Sequence, residues 1–420
     1  MSHPSKPVKF HQKLFTPLRD FFADSRAIGI LLIACTVLSL VLANLSTTSA
    51  AYTSFWLKEI HVGISFLHLP ENILLLINDV LMTFFFFLVG MEIKRELSIG
   101  ELSSVKKSLL PILAAFGGMI CPALIFVIFN GGTPFQKGWG IPMATDIAFS
   151  LGVLSLLGKR VPIQLKIFLA ALAIIDDLGA VLTIALFYSS EINFLYLLLA
   201  AALVGVVIMV NKLKISNLFA YFVPGVLLWY CMFNSGVHAT LAGVIMSFCM
   251  PLNQLSKVEH KLFHPVNFFI MPLFALANTA IILPSTMGYV FQSTITYGII
   301  AGLVIGKPLG IFLFSYTAAK LKIATAPSNS NWKQLLGIGM LGGIGFTMSI
   351  FTSSLSYADN GLQTIAKVAV IAASIISGAI GFAYLYNMKP AYKTEVEAEI
   401  AEEIVLAEPE LKENLPISIH

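Results

Sequence analysis

Twelve apolar stretches, each close to the roughly 20 residues a helix needs to cross a bilayer, run through this 420-residue chain. The first six are Ala27–Asn44, Ile73–Gly90, Leu109–Phe129, Trp139–Leu157, Lys166–Tyr188 and Ile192–Val210. The second six are Asn217–Phe233, Gly236–Pro251, Val266–Leu283, Thr294–Tyr316, Gln334–Phe351 and Thr364–Asn387. Only 11% of the residues are charged, against about 25% in soluble domains. With 57% hydrophobic residues and 32 Phe, the chain cannot fold in water without exposing large apolar patches. Disordered, collagen-like and nucleic-acid-binding classes are excluded by the same balance. The expected fold class is an all-α polytopic membrane protein with twelve transmembrane helices. The first stretch follows a long basic lead and is nearer a full span than a signal-peptide core, so it reads as a retained helix.

Two pieces fit less well. Tyr52–Pro70 alternates in polarity and carries Lys58, Glu59, His61 and His68, which suits a short external hairpin. Gly236–Pro251 is short enough to lie at an angle or be partly re-entrant. Basic residues set the orientation. Twenty of them fall in the N-terminus, alternate loops and the segment after the last span, whereas the opposite loops hold only Lys58 and Lys137. The positive-inside rule therefore places both termini in the cytoplasm. Three regions result: a cytoplasmic segment 1–26, a twelve-span domain 27–388 containing the hairpin 52–70, and a cytoplasmic tail 389–420. From Glu395 onward the tail holds eight acids against Lys412 alone, so it reads as a solvated appendage. The cysteines Cys35, Cys121, Cys231 and Cys249 sit in apolar stretches without metal-ligand spacing and read as buried hydrophobes.

Charges inside the spans stand out: Asp146, Asp176, Asp177 and Lys307, with Asp79 and Lys367 nearer helix ends. An ionised group at the bilayer centre costs roughly 2.5–3.5 kcal/mol on insertion scales, and such residues usually face a bundle interior or an ion path. Lys307 taken alone suits a purely structural ion pair equally well, but one lysine cannot neutralise three acids. Asp79 and Lys367 are read as structural charges that reach the interface. Adjacent residues on a helix point about 100° apart, so Asp176 and Asp177 serve different neighbours. A hard cation such as Na⁺ prefers oxygen ligands, and Thr145 offers a hydroxyl beside Asp146. The fourth stretch opens with Gly138, Gly140 and Pro142, and the eleventh carries Gly337, Gly339, Gly342, Gly343 and Gly345. Both suit helices that unwind inside the membrane, although close packing by small residues explains the eleventh equally well. Spans 3–5 and 10–12 form two sets, each with its interrupted helix in the middle, the arrangement of inverted-topology repeats.

The motifs FFFFLVGMEIKREL (Phe84–Leu97), MATDIAFSLG (Met143–Gly152), AIIDDLGA (Ala173–Ala180), SGVHATLAG (Ser235–Gly243), PLFALAN (Pro272–Asn278), GKPLG (Gly306–Gly310) and GIGFTMSIF (Gly343–Phe351) occur in this order. On them the chain resembles the NhaA family of sodium/proton antiporters, from about Phe15 to Tyr386. The resemblance implies that Asp176 and Asp177 bind cation and proton in turn. It makes Asp177 the main Na⁺ ligand, with Asp176 and Thr145 contributing to the site and Asp176 also the partner of Lys307. It further implies that Asp146 and Lys307 balance helix-end dipoles at an unwound crossing. The transported ions would be Na⁺ or Li⁺ and H⁺, without a cofactor, a nucleotide or enzymatic catalysis, in exchange that moves net charge. The setting would be a bacterial inner membrane and the partner a second copy, joined through the 52–70 hairpin.

A pH-sensing region, on the same resemblance, comprises Glu92, Lys94, Arg95 and Glu96 at the end of span two. It continues with Glu259, His260 and His264 before span nine. Ordinary interfacial charge is the alternative reading. His238 also matches a position tied to pH response, though a lone histidine in an apolar span is more often packing. The stretch EHKLFHP is one residue longer than the usual spacing, and Gly342 stands where some members have cysteine. Two other functions compete. An intramembrane aspartyl protease would need a like-charge dyad, which Lys307 disfavours. A sodium-coupled symporter of a small organic anion shares broken helices and carboxylate ligands, and is the nearer alternative.

Overall fold

The computed structural model describes residues 9–60, 68–189, 191–215, 217–283, 288–325 and 330–388. Among them the chain is helical throughout, with one isolated antiparallel bridge between Glu59 and Asn72 and no strand. The acidic tail 389–420, the first eight residues and 61–67 of the expected hairpin lie outside the described residues.

Among the described residues eight helical segments are long and apolar enough to cross a membrane: Ser25–Asn44, Ile73–Ser98, Ser108–Asn130, Gln136–Leu156, Ile163–Phe187, Phe194–Lys212, Thr294–Lys320 and Asn360–Tyr386. A pair bent by 46°, Trp332–Gly342 and Phe346–Ser356, makes a ninth if it counts as one span. The remaining stretches are shorter than their apolar runs suggest. Phe219–Asn234 has 16 residues. In place of Gly236–Pro251 there is only the helix Leu241–Cys249, because the chain turns through Gly236 at φ 83° and stops at Pro251. Nine residues at 1.5 Å each cannot cross about 30 Å of hydrocarbon. The ninth run continues the amphipathic helix Leu252–Pro265 through a π-turn, Val266–Ile270, into Met271–Asn278.

The hairpin expectation needs correcting at its start. Ser49–Trp56 is a helix, because Tyr52 and Trp56 share one face four residues apart. Tyr52 lies 3.0 Å from Ser39 Oγ, and the Trp56 side chain is buried. At the base of the loop Ile60 N–H donates to Glu71 O.

Outward-facing side chains identify the solvent. On Phe194–Lys212 only Ala200 and Val207 are buried, while Leu195, Leu198 and Met209 stand exposed. Water would penalise such a face; lipid does not. The most extensive helix contact joins Ser108–Asn130 to Thr294–Lys320. It depends on absent side chains: a Cβ on Gly310 would lie 2.0 Å from Gly117 O. This contact brings Lys307 against the centre of the molecule.

Candidate ion site at two helix breaks

The backbone leaves helical geometry at two places that touch. A 3-10 segment, Gln136–Met143, ends at Met143, and an α-helix restarts at Ile147. The second break is Gly343–Gly345, between Gly342 and Phe346. Asp146 N–H donates to Ile344 O at 2.7 Å, which ties one break to the other. Ser349 Oγ donates to Ile141 O at 2.7 Å just beyond.

Each break exposes helix ends, and their unpaired groups find side chains. Asp146 Oδ1 accepts from Phe149 N–H at 3.0 Å, capping its own helix. Its Oδ2 accepts from Thr347 N–H at 3.0 Å and Thr347 Oγ–H at 2.5 Å. One carboxylate thus serves two helix N-termini, where partial positive charge gathers. The carbonyl ends receive donors instead. Lys307 Nζ donates to Met143 O, and Thr145 Oγ lies 3.0 Å from Gly342 O. Thr347 was not singled out by sequence reasoning, although it sits in GIGFTMSIF; nothing local in that stretch indicates a partner 201 residues away.

The paired aspartates diverge as their spacing requires. Asp176 Oδ2 lies 2.8 Å from Lys307 Nζ and 2.7 Å from Thr145 Oγ, and both charged residues are fully buried. Asp177 faces the other way, into a cavity of about 60 Å³ that Thr145, Asp146, Thr347, Glu92 and Asn267 also line. Asp176 does not line it. Asp177 Oδ1 is buried without a hydrogen-bond partner, a costly condition that a bound proton or cation relieves. Among the described residues no three His, Cys, Asp or Glu cluster as a metal site. A cation here would therefore be held by carboxylate plus neutral oxygens, the donors a hard ion accepts.

The residues expected to sense pH separate into four groups. Glu92 belongs to the cavity wall. Arg95 pairs with Glu259 and lies 3.3 Å from Glu96. Lys94 Nζ donates to Met250 O and, at 2.7 Å, to Phe248 O, closing the C-terminal end of Leu241–Cys249. His260 and His264 are exposed, the latter stacked on Phe268 with centroids 5.7 Å apart. Asp79 is not at a helix end: it sits in the π-turn Ile77–Leu81, 3.7 Å from His238 Nε2. Lys367 is buried, two turns inside Asn360–Tyr386.

Burial pushes the Glu259 carboxyl above its ordinary range, with Arg95 opposing the shift and Glu96 adding to it. The folded protein therefore binds this proton more tightly than the unfolded chain. The resulting stability is present below the ordinary carboxylate value and is lost as pH rises through the raised one. Melting curves of the detergent-solubilised protein across that window should show the decline, and Glu259→Gln should flatten it. An equally steep decline in the variant would assign the effect to another group.

The family model for Na⁺/H⁺ antiporter 1 matches residues 19–385. The chain is 51% identical over 384 residues to a protein named Na⁺/H⁺ antiporter NhaA 2 of Flavobacterium johnsoniae, covering 89% of this chain and 93% of that one. It is 47% identical over 392 residues to Na⁺/H⁺ antiporter NhaA of Cytophaga hutchinsonii, covering 92% and 98%. Against Na⁺/H⁺ antiporter NhaA of Escherichia coli the identity is 45% over 377 residues, covering 88% and 97%.

Proposed function

Because the chain belongs to the Na⁺/H⁺ antiporter 1 family, we propose that it exchanges Na⁺ for H⁺ across a bacterial inner membrane by secondary transport. The observation that carries this reading is Asp177: a buried carboxylate with an unpartnered oxygen, facing a small cavity with no basic residue among the described residues of its wall. Such an oxygen takes either a proton or a cation, and occupation by one excludes the other. Asp177 is the main Na⁺ ligand in this scheme, and Thr145 adds a neutral oxygen. Asp176, held by Lys307 in the conformation described, joins the ligand set only if that pair opens.

Exchange requires the cavity to open to each side in turn. The crossing at Asp146 and Ile344 suits that motion, since short helix ends held by a few side-chain contacts can tilt without unfolding a span. In this reading the molecule has twelve spans with two interrupted helices in inverted repeats, and both termini are cytoplasmic. Li⁺ is the alternative substrate. If more protons enter than Na⁺ leaves, the membrane potential contributes about 2.3 kcal/mol per charge per 100 mV. Glu92, Lys94, Arg95, Glu96, Glu259, His260 and His264 form its pH-responsive region, and a second copy docks through the 52–70 loop. The transport unit is 27–388, with the acidic tail outside it.

An organic-anion symporter is disfavoured by the same cavity. Pockets for small molecules span about 300–1,000 Å³, several times the 60 Å³ found, and an anion would meet three acids with no cation among the described wall residues. Proteoliposomes with a preset pH gradient and a pH-sensitive dye separate the readings. Na⁺ should collapse the gradient with no organic solute present; a gradient unmoved by Na⁺ would overturn the exchange reading. Orientation has its own test, in a background without the four native cysteines. Pro134→Cys should react with an impermeant maleimide only from outside, and Lys212→Cys only from the cytoplasm. Reversal at either position would break the alternation of basic loops.

A further inference from the structure

One wall of the ion cavity comes from neither broken helix. Phe263, Asn267 and Met271 line it from the helix that runs from Leu252 to Asn278. That helix widens through the π-turn Val266–Ile270, where Met271 N–H donates to Val266 O five residues back. A π-turn inserts one residue into the helical register, and such insertions recur at functional sites. Here its consequence is chemical. Met271 N–H is committed to Val266 O, and the next residue, Pro272, has no N–H. Neither amide that a helix would offer to Asn267 O is therefore free.

The side chain adds a second oxygen. Asn267 Nδ2 donates to Phe263 O at 3.0 Å, which fixes the amide plane. No donor among the described residues reaches Oδ1, and the residue is only half-buried against the cavity. An Asn amide has one acceptor oxygen and two N–H donors; with a donor spent on the helix, the oxygen is what remains for an ion. Asp146 cannot offer as much, because both its oxygens already accept hydrogen bonds.

We infer that Asn267 is a neutral oxygen ligand for the transported cation, acting with Asp177 across the cavity and raising affinity for Na⁺ or Li⁺ over H⁺. This rests on the reading of that cavity as the ion's site. The selectivity argument is simple. A carbonyl oxygen coordinates a hard cation but does not take up a proton in the range where carboxylates titrate. Its loss weakens the cation's side of the competition and leaves the proton's side alone.

Asn267→Leu keeps the approximate volume and removes the oxygen. In proteoliposomes at fixed pH, its half-saturating Na⁺ and Li⁺ should rise roughly ten- to hundredfold, the usual loss when a metal site is stripped of one supporting group. The maximal rate should fall far less. Asn267→Asp restores an oxygen and should return half-saturation to the wild-type value or below. Unchanged half-saturation for both ions, or a loss of maximal rate alone, would overturn the inference and leave Asn267 a packing residue. Should Asn267→Leu fail to insert, Asn267→Ala and ²²Na⁺ binding to purified protein give the same decision. Wild-type protein is the control for the underlying reading: if it shows no Na⁺-driven proton flux, the exchange reading fails, whereas flux in wild type with unaltered variants condemns Asn267 alone.

Discussion

Asp177→Asn is expected to abolish Na⁺-driven proton flux at every pH while the protein still inserts and folds. The two side chains are nearly isosteric, so the cavity keeps its shape. What disappears is the ability to carry a negative charge and to take up a proton, and both halves of the exchange need one or the other. Folding should survive because Asp177 Oδ1 has no hydrogen-bond partner to lose. The new amide instead brings N–H groups that repel a cation. Dye-loaded proteoliposomes titrated with Na⁺ and Li⁺ at several pH values make the measurement, with gel filtration as the check on folding. Wild-type-like exchange by well-folded Asp177→Asn protein would remove Asp177 from the site.

Lys307→Met should fail in the opposite manner, through stability first. Lys307 and Asp176 are both fully buried, 2.8 Å apart. Removing one member of a buried pair typically costs about 3–5 kcal/mol, because the other is left unpaired, whereas replacing both is often close to neutral. Lys307→Met should therefore lower the melting temperature in detergent sharply. Adding Asp176→Asn should recover most of that loss, although Met143 O still lacks the donor that Lys307 supplied. Residual exchange at high Na⁺ is expected from Lys307→Met, since it leaves the cavity ligands in place. Stability losses that simply add in the double variant would show that the two residues are not coupled.

These two outcomes separate a ligand from a charge partner, a distinction that helix periodicity alone left open. Consecutive aspartates must diverge by about 100°, but periodicity does not say which faces the lysine. That depends on how Ile163–Phe187 is rotated against Thr294–Lys320, and the rotation is a property of the packed molecule. The cavity is of the same kind. It collects Glu92, Asp146, Asp177, Asn267 and Thr347 from separate parts of the chain, and no local pattern links them.

What the sequence determined by itself was the membrane character, eight of the segments long enough to cross and the acids placed within them. Each depends on a local or additive quantity: apolar length and the position of a charge within it. Tertiary structure decided the rest. It shortened the expected spans at Gly236–Pro251, where a positive φ redirects the backbone, and at Val266–Leu283, where the helix ends at Asn278. It also turned the start of the 52–70 segment into a helix through the burial of Trp56. It gave Asp146 to Thr347 and Lys307 to Met143, contacts more than 160 residues apart along the chain. The physical reason is register. Apolar length says that a helix crosses, whereas breaks, π-turns and close glycine contacts set how far it is rotated, and rotation determines which oxygens meet an ion.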